Sequence, residues 1–151
     1  MIELLLVLSM MSLVGIMAFP RVSSMMTNWR VARAAQAMAE ELQTAFAIVG
    51  RSRKPITITI NKARMELVLS DRNNIVYRRR NFGNTSAYKL DSANVQAPKL
   101  LIEVFPPGLS ADSMSIEILR QGKYRRVRML RGGLVQVCSN RQAINAICVP
   151  A

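Results

Sequence analysis

Few residues in this 151-residue chain are of a type that does chemistry, and their arrangement argues against catalysis. Histidine is absent, which removes His-based triads, His general acid–base pairs and His-ligated metals. Glu40 and Glu41 are adjacent, and neighbours on a helix diverge instead of converging on one substrate. No G-x-S-x-G nucleophile motif occurs. No enzyme activity, cofactor or metal site is therefore expected. Cys138 and Cys148, ten positions apart, are the two cysteines. In an exported chain they read as a small disulfide loop, worth about 2 to 3 kcal/mol on a loop-closure estimate. Two buried, unpaired thiols are the other reading; zinc would need two more ligands, and none clusters nearby.

Glu3 is the acid whose surroundings need explaining. It sits near the start of an apolar run, 1–20, in which no other charge precedes Arg21. As a helix, 2–19 covers roughly 27 Å, close to the ~30 Å hydrocarbon core of a bilayer. A buried core helix is one alternative, but no polar face recurs at a helical period. A cleaved signal is another, but it needs a basic start and a small-residue cleavage site, and this start is acidic. A carboxylate at membrane depth costs at least ~2.5 to 3.5 kcal/mol, so a cationic partner is expected. The simplest is the free N-terminal amine of a neighbouring subunit, which would neutralise Glu3 only when helices stack side by side.

The remaining candidates are basic. Against 9 Asp+Glu stand 21 Lys+Arg, a net charge of +12, which predicts attraction to phosphates, anionic lipid or an acidic partner. Arg51, Arg53 and Lys54 form one cluster and Arg78, Arg79 and Arg80 a second. Arg120, Lys123, Arg125, Arg126, Arg128 and Arg131 form a third, where Arg126 and Arg128 would share one face of a strand and Val127 and Met129 the other. Such a row can track a phosphate backbone. It can equally be a solvated face, and the few aromatics nearby, Tyr77 and Tyr124, make a poor stacking platform.

The elements that must position these residues follow from periodicity. Past Pro20, where a break is expected, 29–49 is rich in helix formers. Val31, Ala35, Met38, Leu42, Ala45, Phe46 and Val49 mark an apolar stripe, with Arg30, Arg33, Glu40, Glu41 and Gln43 mostly on the other side. Thr27 or Asn28 is the expected cap of a renewed helix and Gly50 its stop. From Pro55 the period turns twofold: strands are expected over 56–60, 65–69, 75–78, 100–105, 114–119, 124–130 and 134–138. Turns fall at 71–74, Gln121-Gly122 and Gly132-Gly133, and 81–98 reads as an irregular loop. The expectation is an α+β chain: a membrane helix segment 1–20, its amphipathic continuation 21–50, and a β-rich antiparallel domain 51–151 closed by the cysteine loop.

The order of Ile2, Glu3, an apolar run and Ala18, Phe19 and Pro20 resembles the N-terminal segment of type IV pilins and type II secretion pseudopilins. The helix-to-strand join at 45–60, together with Phe105, Pro106, Pro107 and Gly108, resembles the GspH/FimT subgroup. The resemblance implies a minor pilin or pseudopilin that assembles with other such subunits. Glu3 would be the assembly acid and Pro20 the proline where the helix leaves the lipid. It also implies a single pass of the inner membrane with the C-terminal domain in the periplasm. A prepilin peptidase would cut upstream of the acid, and the first mature residues of the pattern are not present before Glu3, so a start codon placed inside the motif is expected. Arg21, Arg30 and Arg33 just after the span run against the positive-inside rule, a conflict that a basic leader would reduce. FimT-like members of the subgroup imply a second role, DNA uptake through the basic C-terminal strand.

Overall fold

The computed structural model describes residues 2–96, 101–139 and 148–151, and within the first twenty residues the side chains at 3, 7–12, 15, 16 and 19. One long helix, α1 (Ile2–Ser52), leads into ten strands. These are β1 (Ile56–Asn61), β2 (Glu66–Asp71), β3 (Val76–Asn81), β4 (Ser92–Gln96) and β5 (Leu101–Phe105), then β6 (Leu109–Ser110), β7 (Met114–Arg120), β8 (Lys123–Met129), β9 (Val135–Cys138) and β10 (Cys148–Pro150). They form two five-stranded sheets, ordered β3-β2-β1-β5-β6 and β10-β9-β8-β7-β4, with every pairing antiparallel.

The helix runs through Pro20 without the expected break. Proline deletes one ladder bond and costs about 3 kcal/mol in a helix interior. Good helix formers propagate the turns on both sides, and packing holds the later half, so the ladder continues. Neither expected cap is one. Thr27 Oγ1 bonds back to the Ser23 carbonyl at 3.1 Å, and Asn28 Oδ1 accepts from Arg125 at 3.1 Å. Nor does the helix stop at Gly50, which lies inside the last turn. Arg53 ends it with φ 51°, its N–H donating to the Val49 carbonyl at 2.9 Å.

The apolar stripe of α1 is the face that docks on the sheets. Val31, Ala35, Met38, Leu42, Ala45 and Val49 are buried there against Ile56 and Ile58 of β1, Ile116 and Ile118 of β7, and Val127 and Met129 of β8 in one core. Alanines let the helix axis approach closely, while a side chain such as Leu42, fully buried, contributes about 1.5 to 3 kcal/mol. Glu41 departs from the expected polar side: it is buried too, because it lies at the edge of the stripe where β3 supplies arginines.

Part of 81–98 is a strand, not a loop. Ala93 and Val95 of β4 face Ile118 and Ile116 of β7 in register, at the edge of the second sheet. The expected start of β5 at Leu100 and the polar loop 140–147 lie outside the described residues. The β7–β8 hairpin turns on Gln121 and Gly122, both at positive φ (45° and 75°), as a two-residue turn with the right twist requires. Asp71 organises the β2–β3 turn by accepting the N–H groups of Asn73 at 2.8 Å and Ile75 at 3.0 Å.

Candidate functional site

Three places gather the residues singled out above. The first is the half of α1 before the domain. Glu3 lies exposed in the first turn, where an acid complements the helix dipole. Val7, Leu8, Met10, Met11, Ile16 and Phe19 are each more than half exposed, and the apolar surface continues through Val22, Met25, Met26 and Trp29. Thr27 and Val31, on roughly the opposite side of the helix at 3.6 residues per turn, face the domain. The domain therefore cannot cover this stripe. Among the described residues no helix is long and apolar enough to cross a membrane; the side chains at 2, 4–6, 13, 14, 17, 18 and 20, Pro20 among them, lie outside that description.

The second place is the junction of α1 with β3. The Glu41 carboxylate, 2% exposed, sits 2.7 Å from Arg80 Nη1 and 2.8 Å from Arg78 Nε. Arg80 donates a well-aligned hydrogen bond to Oε1; Arg78 approaches Oε2 as a charge without that alignment. Arg79, on the other face of the strand, reaches Glu66 at 3.4 Å. Each arginine of the second basic cluster is thus paired within the molecule, three cations sharing two carboxylates.

The third place is the β7–β8 ribbon. Arg126 and Arg128 do share its outer face, with Val127 and Met129 buried on the other. Arg126 is held by Glu117 of β7, Nη2 to Oε1 at 2.5 Å, and its Nε lies 3.2 Å from the Tyr124 hydroxyl. Burial opposes the Arg126 charge, yet the hydrogen bonds to Glu117 and Tyr124 carry the guanidinium above its ordinary pKa. Burial first, and Glu117 second, push the Tyr124 phenol up. Arg120 is buried and donates to the carbonyls of Tyr88 and Lys89, Arg125 reaches Asn28 and the Ser139 carbonyl, and Arg131 pairs with Asp112 at 2.9 Å. Of the six basic residues, Lys123 and Arg128 make no ion pair or side-chain hydrogen bond with a described residue. Across the same sheet Cys138 and Cys148 are joined by a disulfide, their Cα atoms 4.0 Å apart as direct partners of β9 and β10.

No protein-family model matches the sequence, and no curated protein matches it. Solved structures do. The type IV minor pilin FimU of Pseudomonas aeruginosa in one crystal form superposes with a TM-score of 0.56 at 16% identity, over 77% of this chain and 91% of that one. A second crystal form of FimU gives 0.54 at 15% identity, over 76% of this chain and 95% of that one. The chain has a pilin-like fold.

Within that pilin-like fold the expected residues do not converge. Glu3 lies near one end of a 51-residue helix, and the basic ribbon and the cysteines belong to the second sheet. The sequence reading missed Glu41, whose partners lie almost forty residues away on β3. It also missed Arg30 and Arg33, which share a cleft with Arg80. The arginine run 78–80 itself was the available signal, although a run of that kind reads the same in sequence whether it is solvated or paired.

Proposed function

We propose that this chain is a minor pilin or pseudopilin, a structural subunit that assembles with other pilin-like subunits through the N-terminal half of α1. The observation that carries the reading is an exposed apolar helix with an acid in its first turn, projecting from a domain of pilin-like fold that leaves it uncovered. In this reading residues 2–19 anchor the subunit in the inner membrane, the domain faces the periplasm, and Glu3 takes its cation from a neighbouring subunit during assembly. The likeness at 45–60 and 105–108 supports the GspH/FimT kind, and a prepilin peptidase would act a few residues upstream of Glu3. The geometry favours assembly over DNA binding by β8, because Arg120, Arg126 and Arg131 are already engaged by groups of the same chain.

The test is Glu3→Ala in the full-length chain expressed in its host. The variant should fractionate with membranes as the wild type does yet be missing from sheared filaments and from cross-links to other subunits. Incorporation at wild-type levels would remove the role given to the acid.

A further inference from the structure

Alongside α1, on the side where the segment between β3 and β4 passes, lies an open cleft of about 440 Å³. Arg30, Arg33, Gln36 and Glu40 line its helix wall, and Arg80 and Tyr88 the other. Arg30 and Arg33 are exposed and make no hydrogen bond or ion pair with any described residue. Arg80 spends one donor on Glu41 and keeps about a third of its side-chain surface accessible, 35%. A guanidinium has five donors, so most of Arg80 is unspent. Two unpaired guanidiniums, with the remaining donors of a third that is shared with Glu41, thus face one opening lined by the single carboxylate of Glu40.

We propose that this cleft binds an acidic peptide segment of a partner protein, with its carboxylates on Arg30, Arg33 and Arg80. Carboxylates match the arginine fork two bonds at a time, and Gln36 and Tyr88 offer neutral groups to the peptide between them. Glu40 discriminates among anions. A duplex backbone, with a charge every ~1.7 Å, cannot avoid that carboxylate, whereas a peptide can place an uncharged residue against it. A lipid headgroup fits less well on distance. With the bilayer edge at Pro20, Arg30 lies about 15 Å farther along the helix, beyond a headgroup layer of roughly 5 to 8 Å. A second copy of this chain is a poor occupant as well, since it too carries +12 and the two would repel. The partner is therefore a different, acidic chain.

Trp29, the one tryptophan and exposed next to Arg30, is a built-in reporter. The full chain in a non-ionic detergent is titrated with hexaglutamate at 0.15 M ionic strength, following Trp29 fluorescence. Duplex DNA and anionic lipid vesicles serve as competitors. The expected result is saturable hexaglutamate binding that weakens at least tenfold in the Arg30→Ala/Arg33→Ala variant. A charge-matched Arg51→Ala/Lys54→Ala control should weaken it no more than twofold. Equal weakening in both variants would reduce the effect to net charge and overturn the site, as would absence of binding. Tighter binding of DNA or vesicles, lost in the same double variant, would overturn the acidic-peptide assignment. No other subunit is present, so failure here is distinct from failure of Glu3→Ala to block assembly.

Discussion

At the scale of single residues, the arginines divide by what lies across from them. Glu41 is buried while Arg78 is about half and Arg80 about a third exposed, so the arrangement is asymmetric. Removing the arginines strands a carboxylate in the core; removing the acid returns two cations to water. Arg78→Ala/Arg80→Ala should therefore cost about 3 to 5 kcal/mol in urea unfolding and Glu41→Gln only about 1 to 2, an order that a solvent-facing Glu41 would not produce. Arg72 and Glu103 form a surface pair at 2.6 Å whose hydrogen bond holds the Glu103 carboxyl below the usual carboxylate range. Because the folded pKa is the lower one, the stabilisation is present above the unfolded value of about 4.3 and fades as pH falls through the folded value. An NMR titration of the Glu103 carboxyl should show the depression in the wild type and its loss in Arg72→Ala.

At the scale of elements, legibility followed locality. The docking face of α1 and strands β1, β2, β7 and β8 could be read because their apolar residues recur at 3.6 or 2 within one segment. β4 could not, because Ala93 and Val95 are its only apolar positions and its strand character comes from pairing with β7. β6 and β10, of two and three residues, carry too few side chains to show any period. Ion pairing was illegible for the same reason: Glu117 and Asp112 meet Arg126 and Arg131 only after β7 and β8 have paired. One turn glycine binds these elements together. Gly133 has φ +83°, and a Cβ there would come within 3.1 Å of the Gly108 carbonyl oxygen and 3.5 Å of the Phe46 ring on α1. Gly133→Ala should cost about 1 to 2 kcal/mol through the left-handed backbone and that contact. Gly132→Ala, at a position with open space and ordinary φ, should leave the melting temperature nearly unchanged.

At the scale of the whole molecule, α1 has two separable faces, one buried in the core and one apolar and exposed. From Val31 onward its inner face is core, and loss of a side chain such as Leu42 is paid in folding stability. Val22, Met25, Met26 and Trp29 look outward with 56 to 63% of their surface accessible, so nothing in the folded domain depends on their being apolar. If that outward stripe is where neighbouring helices pack, charge placed on it must disrupt assembly without touching the fold. Met26→Glu/Trp29→Glu should keep the thermal unfolding midpoint within about 2 °C of the wild type, since exposed substitutions shift stability by no more than ~0.5 kcal/mol. With 2–19 as the proposed membrane anchor left unaltered, the same variant should fractionate as the wild type does and should drop out of cross-links to other pilin-like subunits. A fall in the midpoint with assembly preserved would show instead that the stripe belongs to the domain, and would move the assembly surface elsewhere on the chain.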